Sequence, residues 1–434
     1  ATTEIYTLSL HDALPISSPE SAGMSTTALN RLEAHLKSRY IESGRFPGTQ
    51  LLIYRRGKIV HSTVQGFADL ERKAPMKDDT IFRIYSMTKP ITSVAFMMLV
   101  EEGKVALDEP VAKYIPEWKN LGVFVAGTAP AFLTRAPTRP MQIVDLLRHT
   151  SGLTYGFQQR SNVDAAYREK KIGEVIKAGT LDSMIEDLAK IPLEFSPGEA
   201  WNYSVSTDVL GYLVGKIAGM PFEQFLKERI FKPLGMNDTD FFVPADKVHR
   251  FAACYSADPQ GGFNPLAAER KGTLTLQDDP TTSSFLSPPS LVSGGGGLCS
   301  TAADYLTFCR ALLNGGELGG VRLLGPKTLK LMASNHLPGG VDLPAMSRSM
   351  FAEAAYNGIG FGLGFAVTMH PAQTLIAGSP GEFNWGGAAT TSFFIDPAEE
   401  LITIFMTQVL PSSAYPLRRE LRTMVYAAIT ESNL

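Results

Sequence analysis

Ser86 and Lys89 belong to the tetrapeptide S-M-T-K, the one S-x-x-K in the chain. An apolar segment follows whose spacing predicts a helix that ends near Gly103. Three residues apart at the start of a helix, the hydroxyl and the amine share one face. The positive end of a helix favours negative charge on the serine oxygen and a neutral lysine. The pair therefore predicts a nucleophilic serine with a proton acceptor, against the alternative of a capping serine and a surface lysine.

Tyr203 is a second candidate for chemistry, in the segment F-S-P-G-E-A-W-N-Y-S at 195–204. Pro197 and Gly198 predict a turn, and an apolar helix begins near Val205, so the tyrosine should lie on a loop just before a helix. Taken alone, it is as easily a core tyrosine whose hydroxyl is satisfied. Beside an S-x-x-K serine and lysine, a phenol can relay a proton.

Trp385, Gly386 and Gly387 stand in N-W-G-G-A-A-T, just ahead of the strand-like segment T-S-F-F-I-D. Paired glycines at a strand start let the main chain approach a ligand closely. The N–H group that follows them can then face an oxyanion. A glycine-rich turn without such a role is the alternative.

Together these segments resemble family VIII carboxylesterases, which share the fold of class C β-lactamases and serine D-peptidases. The resemblance covers roughly 20–430, and S-x-x-K is the nucleophile motif of β-lactamases and penicillin-binding proteins. Four segments follow one another in the family's order: L-L-R-H-T-S-G-L at 146–153, F-S-P-G-E-A-W-N-Y-S at 195–204, P-L-G-M-N-D-T-D-F at 233–241 and G-G-G-L-C-S-T-A-A-D-Y-L-T-F at 295–308.

The resemblance implies that Ser86 is the acylated nucleophile and Lys89 its base. It implies that Tyr203 is the second proton carrier, which activates water for deacylation. The main-chain N–H groups of Ser86 and Ala388 would form the oxyanion hole. Because Lys89 and Tyr203 would share a proton network, neither is assigned as the sole base.

Two departures from the β-lactamase pattern concern the substrate. The lactamase Y-x-N motif reads Y-S-V at 203–205, so its side-chain amide is missing. The K-T-G motif reads W-G-G at 385–387, as family VIII esterases do, so the cation that holds a β-lactam carboxylate is missing. An indole there suits an uncharged, apolar ester. The expected substrate-binding residues are Trp385, Gly386 and Gly387, together with Tyr155 and Phe157, which would line an acyl or alcohol pocket.

The expected function is that of a serine carboxylesterase, which hydrolyses short-chain acyl esters through an acyl-enzyme on Ser86. The alternatives are a β-lactamase or D-amino-acid peptidase of the same fold, and a catalytically silent binding or assembly module. A Ser-His-Asp hydrolase would need a G-x-S-x-G elbow, which the chain lacks. His149 falls in a turn that is structural in the family, and His249 and His336 have no motif around them. No H-E-x-x-H or paired Cys/His spacing occurs, so neither a metal nor another cofactor is expected.

The composition of the 434 residues is that of an ordinary globular protein, with 44% hydrophobic and 19% charged residues. A net charge of -3 without a Lys/Arg run argues against a nucleic-acid partner, and a small-molecule ester is expected instead. Three cysteines form no disulfide framework. No apolar run would span a bilayer and no signal peptide is visible, so we expect no membrane span and a cytoplasmic protein.

Strand-like segments near both chain ends, with helices between them, predict the elements that position these residues. The expected fold class is α/β (α+β), β-lactamase-like, with an antiparallel sheet built from both chain ends, flanked by helices, and a helical insertion. The expected division is an α/β domain at 18–105 and 298–434, a mainly helical domain at 106–297, and a non-native or disordered extension at 1–17. Helices are expected at 25–40, from Ser86 to Gly103, and at 140–149, 181–190, 205–218, 301–314 and 415–430.

Two predicted strands turn at Arg56 and Gly57, and further strands are predicted within 357–410. Residues 255–297 lack periodicity and end in S-G-G-G-G. This segment is expected to be either a mobile loop or a wall of the site.

Overall fold

The computed structural model describes residues 15–174, 179–257, 273–348 and 356–434. Its strands are β1 (Gly48–Arg55), β2 (Lys58–Asp69), β3 (Ala74–Pro75), β4 (Phe82–Arg83), β5 (Val123–Thr128), β6 (Ala131–Arg135), β7 (Cys254–Ser256), β8 (Thr275–Asp278), β9 (Cys299–Ser300), β10 (Glu317–Leu318), β11 (Val321–Arg322), β12 (Ile359–Phe361), β13 (Ala366–Thr368), β14 (Phe383–Gly386), β15 (Ser392–Asp396), β16 (Leu401–Met406) and β17 (Val409–Leu410). Its α-helices are α1 (Thr26–Leu36), α2 (Thr88–Glu101), α3 (Ile143–Leu147), α4 (Asn162–Glu169), α5 (Leu181–Leu188), α6 (Ser206–Ala218), α7 (Phe222–Leu226), α8 (Lys232–Leu234), α9 (Ala302–Leu313), α10 (Pro326–Met332), α11 (Leu343–Met346), α12 (Pro371–Thr374) and α13 (Leu417–Ala427).

The main sheet has eight antiparallel strands in the order β12-β13-β14-β15-β16-β1-β2-β3. The early and late parts of the chain meet where β1 pairs with β16, with Gln50 opposite Met406. β1 turns into β2 at Arg56 and Gly57, both of which have positive φ. The predicted sheet built from both chain ends, and the predicted turn, are therefore confirmed.

The core has two layers, one on each face of the sheet. Side chains of β1 enter both layers, because successive side chains of a strand point to opposite faces. Leu51 and Ile53 pack with α1 and α13 on one face of the sheet. Leu52 and Tyr54 pack on the other face, with α2, α6 and α9. The sheet is thus covered by helices on both sides.

α2 is buried on all sides, since every residue from 88 to 99 is shielded from solvent. A helix that is apolar all round belongs in the interior of a protein. It lies against α6 and gives a rigid base to the loop that precedes it. No helix within the described ranges is both long and apolar enough to cross a membrane.

Several sequence-based boundaries are corrected by the structure. The predicted helix at 140–149 shortens to α3, and α1 continues as a π-helical turn at Lys37–Ile41. The strand-like run at 360–367 divides into β12 and β13, because the chain turns through Gly364 at φ 106°. Residues 1–14 lie outside the described residues. Ile16 forms a β-bridge with Ile59, so the end of the expected extension at 1–17 belongs to the fold.

The middle of the chain contains strands that the sequence did not predict. β5 and β6 form a hairpin whose side chains are mostly exposed, so no alternation of apolar and polar residues marks it. Within 255–297, residues 258–272 are not described, while β8 pairs with β7. The boundaries of the two expected domains remain a prediction.

Candidate active site

Ser86 lies in a 3-10 turn, Tyr85–Met87, immediately before α2. The sequence analysis predicted Ser86 at the start of the helix itself. The structure corrects this slightly, because α2 begins at Thr88. Tyr85 has a φ of 42°, a conformation that costs energy for a residue with a side chain. Two hydrogen bonds of Met87 stabilise the turn. Its N–H donates to the Ile84 carbonyl, and its own carbonyl accepts a hydrogen bond from the Tyr305 hydroxyl at 2.9 Å.

Lys89, in the first turn of α2, is buried, with 2% of its surface exposed. Its Nζ donates to the Gly295 carbonyl at 2.6 Å and to Ser86 Oγ at 3.3 Å. Nζ also lies 4.5 Å from the ring centre of Tyr203 and 5.4 Å from that of Tyr155. A carbonyl, a hydroxyl and two aromatic faces therefore surround the amine.

Tyr203 also contacts Ser86, from the segment that precedes α6. Its hydroxyl donates to Ser86 Oγ at 2.6 Å. The segment is held in place where Asn202 N–H bonds to the His149 carbonyl at 2.9 Å and Val205 N–H to the Thr154 carbonyl at 3.2 Å. The structure therefore brings together the three predicted catalytic side chains, with the serine oxygen between a phenol and an amine.

The W-G-G segment closes the site from the end of β14. Trp385 and Gly386 are the last residues of that strand, where the sequence suggested the start of the next one. A Cβ atom at Gly387 would lie 2.4 Å from the Ile84 carbonyl oxygen, so only glycine lets this main chain approach the turn of Ser86 so closely. Ala388 follows and faces the same cavity as Ser86. This placement suits the predicted pair of oxyanion-hole N–H groups.

A cavity of about 330 Å³ opens above Ser86. Tyr155 and Phe157 stack on each other with ring centres 4.8 Å apart and line it, as the sequence suggested. Burial, followed by the charge of Asp208, raises the pKa of Tyr155 well above its ordinary value, so its hydroxyl stays protonated. The described residues that line the cavity also include Tyr85, Trp201, Tyr203, Tyr356, Ile359, Trp385, Gly386, Gly387, Ala388 and Phe393. Its walls combine these aromatic rings with glycines and serines and with Arg418, Arg419 and Arg422 of α13.

His149 lies behind this site and outside the cavity lining. It is 1% exposed, and its ring centre lies 5.1 Å from that of Tyr203. Burial, and secondarily the charge of Lys89, lowers its pKa well below the ordinary histidine value, so the ring is neutral at pH 7. Its Nδ1 lies 3.2 Å from Ser204 Oγ. These contacts give His149 a packing role, as the sequence analysis expected.

Arg418 is a cavity residue that the sequence analysis missed. It lies on α13, and its Nη2 donates to the carbonyls of Gly387 at 3.0 Å and Thr391 at 3.2 Å. A cation thus borders the W-G-G segment even though Trp385 carries no charge. The arginine-rich start of α13 was a visible signal, but only the packing of α13 against the sheet shows that Arg418, Arg419 and Arg422 line the cavity.

Metal-ligating side chains do not gather at this site. Across the part of the chain that the structure describes, no three His, Cys, Asp or Glu residues are grouped as a metal site would require. The three cysteines, Cys254, Cys299 and Cys309, are buried and unpaired by disulfides, and burial raises the pKa of each thiol.

Comparison with known proteins places the chain in a family. The β-lactamase family model matches residues 29–427. Esterase EstB of Burkholderia gladioli is 32% identical, in an alignment that covers 94% of this chain and 99% of EstB. Protein Rv1367c of Mycobacterium tuberculosis is 36% identical, over 85% of this chain and 88% of that protein.

A solved structure resembles the fold over nearly its whole length. EstCE1, described as a hydrolase with promiscuous acyltransferase activity, superimposes with a TM-score of 0.75 at 27% identity, and covers 93% of this chain and 99% of its own. The resemblance to family VIII carboxylesterases and to the β-lactamase-like fold is confirmed, and the chain belongs to the β-lactamase family.

Proposed function

We propose that this protein is a serine carboxylesterase that hydrolyses short-chain acyl esters through an acyl-enzyme on Ser86. The observation that carries the proposal is the position of Ser86 Oγ, 2.6 Å from the Tyr203 hydroxyl and 3.3 Å from Lys89 Nζ, at the floor of an aromatic cavity. Similarity to an esterase and to a hydrolase supports the same reaction class.

Acylation begins when Ser86 Oγ attacks the ester carbonyl carbon and its proton passes to the Lys89–Tyr203 pair. The carbonyl oxygen becomes an oxyanion, which the N–H groups of Ser86 and Ala388 would stabilise. Collapse of the tetrahedral intermediate breaks the bond to the alcohol oxygen, and the alcohol leaves with a proton from the same pair. The acyl group remains on Ser86.

Deacylation repeats these steps with water in place of the serine. Tyr203 would accept a proton from the attacking water, because its hydroxyl reaches the oxygen that carries the acyl group. Ser86 is then released and regains its proton. Since the phenol and the amine share one network, the proton acceptor in each step is the pair and not a single residue.

The cavity wall indicates which esters fit. Aromatic rings from Tyr155, Phe157, Trp201 and Trp385 offer apolar surface to an acyl or alcohol group. The Trp385 indole occupies the position where a lactamase lysine would hold a carboxylate, and an unpaired carboxylate moved out of water costs several kcal/mol. A cavity of about 330 Å³ also has little room for a long acyl chain.

We therefore expect p-nitrophenyl acetate and butyrate to be good substrates, a palmitate ester a poor one, and a chromogenic cephalosporin weak at best. The measurement is kcat/KM for the butyrate, the palmitate and the cephalosporin side by side. A cephalosporin value equal to or above that of the butyrate would contradict the esterase proposal.

β-Lactam or D-peptide hydrolysis is the second candidate, and Arg418 is the observation that favours it, because a guanidinium at the W-G-G segment could pair with a substrate carboxylate. Its Nη2 is already engaged by two main-chain carbonyls, which is why we rank this candidate lower. Arg418→Ala separates the two functions. Because Arg418 holds the Gly387 carbonyl, its loss should slow butyrate and cephalosporin hydrolysis by a similar factor in an esterase. In an enzyme specialised for β-lactams, cephalosporin hydrolysis should fall much further than butyrate hydrolysis.

Hydrolysis should survive EDTA. The proposed mechanism uses only the serine, lysine and tyrosine, and no metal-ligand cluster lies among the described residues. The rate of butyrate hydrolysis is measured after overnight incubation with EDTA and dialysis. Loss of activity that added zinc restores would overturn this prediction, and failure of a fluorophosphonate probe to label the protein would instead favour a silent binding module.

A further inference from the structure

The S-G-G-G-G run at 293–297 forms part of the cavity wall. A wall of the site was one of the two roles that the sequence suggested for 255–297, the other being a mobile loop. A Cβ atom at Gly294 would lie 2.7 Å from the Thr207 carbonyl oxygen on α6. One at Gly295 would lie 2.5 Å from Asp208 Oδ2 on the same helix. Because only glycine permits such contacts, the run has a fixed place against α6.

Asp208 holds this wall through its buried carboxylate, which is 2% exposed. Its Oδ1 accepts hydrogen bonds from Ser293 Oγ at 2.6 Å and from Gly295 N–H at 3.0 Å. Burial, followed by the charge of Asp208, raises the pKa of the neighbouring Tyr155 hydroxyl. A buried charge is tolerated when donors surround it, and among the described residues the Ser293 hydroxyl and the Gly295 N–H are the donors that bind this carboxylate.

Gly295 connects Asp208 to Lys89. Its N–H is held by the carboxylate, and its carbonyl oxygen accepts the 2.6 Å hydrogen bond of Lys89 Nζ, which is shorter than the 3.3 Å from that amine to Ser86 Oγ. The position of the Gly295 carbonyl therefore decides where the amine lies relative to the nucleophile.

We propose that Asp208 is a positioning residue, which fixes Gly295 so that the Gly295 carbonyl aims Lys89 Nζ at Ser86 Oγ. The proposal rests on the proposed esterase function and adds a residue to it. Asp208 acts through Gly295 and not on the substrate. Its loss should therefore slow the chemical step and leave substrate binding nearly unchanged, because small displacements of a reacting group cost much of its contribution.

The first test is Asp208→Ala with p-nitrophenyl butyrate as substrate. We expect kcat to fall at least about tenfold while KM changes less than about threefold. Asp208→Asn keeps an oxygen that can accept the Gly295 N–H, so its kcat should be at least about threefold above that of the alanine variant.

Asp304 on α9 offers a matched control. It too is a buried carboxylate that holds a loop, since its Oδ2 accepts from Asp238 N–H at 2.8 Å and from Thr239 Oγ1 at 2.9 Å, and it lies outside the cavity lining. Asp304→Ala should lower the melting temperature and leave kcat within about twofold of the wild-type value.

The pH profile of Asp208→Asn gives a second measurement, which decides the matter even if the alanine variant does not fold. The titratable side chains packed around Lys89 are Tyr155, Tyr203 and His149. Asp208 lies further away and reaches Lys89 through its hydrogen bond to Gly295. Removal of the buried negative charge disfavours the protonated form of the Lys89–Tyr203 pair. The acid limb of kcat/KM should therefore move to lower pH by about half a unit.

A merely structural role would give a different pattern. The proposal is overturned if Asp208→Ala keeps the wild-type kcat, if it raises KM alone, or if it matches Asp304→Ala in every measurement. It is also overturned if the acid limb of the asparagine variant stays in place. If the wild-type protein neither hydrolyses the butyrate nor reacts with a fluorophosphonate, the proposed function itself fails.

Discussion

Ser86→Ala is expected to abolish ester hydrolysis and to leave the fold intact. The substitution removes the oxygen that contacts both Lys89 Nζ and the Tyr203 hydroxyl. Loss of the nucleophile from a cooperating set typically costs several powers of ten in rate. The fold should persist, because Lys89 keeps its hydrogen bond to Gly295 and the turn keeps its main-chain bonds.

The measurement is kcat/KM for p-nitrophenyl butyrate, with circular dichroism and thermal unfolding to check the fold. Ser412→Ala is a matched control, because Ser412 lines the same cavity but is not a hydrogen-bond partner of Ser86 Oγ. The control should keep nearly full activity. More than a few per cent of activity left in Ser86→Ala would contradict the assignment of the nucleophile.

The candidate site could be predicted from the sequence because its side chains stand in short, ordered motifs. Ser86 and Lys89 are three residues apart, and Tyr203 follows a turn that Pro197 and Gly198 predict. The fold could be predicted as well, because strands at both chain ends have few ways to form one sheet around a helical middle.

The supporting contacts could not be predicted, because they join distant parts of the chain through the main chain. The partner of Lys89 is the carbonyl of Gly295, about two hundred residues later, and a carbonyl has no signature in a sequence. Its anchor, Asp208, is a charged residue near the start of an apolar helix, where an exposed acidic residue is equally ordinary. The glycine run was the one visible signal, and its role required the position of α6.

The strained backbone conformation beside the nucleophile could not be predicted from the sequence either. Tyr85 has a φ of 42° directly before the nucleophile, although nothing in a tyrosine favours the left-handed region. The half-buried ring packs edge-on against Phe285, with ring centres 6.5 Å apart, and burial raises the pKa of its hydroxyl. Such local conflicts between residue type and conformation are common at functional sites, where surrounding structure supplies the compensation.

Lys89→Ala and Tyr203→Phe should each lower kcat/KM for the butyrate at least about a hundredfold, the low end for general base catalysis. Both side chains contact the same oxygen, Ser86 Oγ, so each variant disables the network that the other needs. The double variant should therefore lose much less than the product of the two single losses. Lys89→Arg should be as impaired as the alanine variant, because a guanidinium keeps the charge but cannot accept a proton.

Tyr356→Phe is the control for the phenol, since Tyr356 lines the cavity but makes no hydrogen bond to Ser86. It should retain most activity, so that a large loss in Tyr203→Phe can be assigned to its position beside the serine. A double variant whose loss equals the product of the single losses would show that the amine and the phenol act independently. In that case each would contribute separately to acylation, the step that kcat/KM reports. Burst kinetics of p-nitrophenol release test deacylation directly, because a variant that fails in that step accumulates acyl-enzyme.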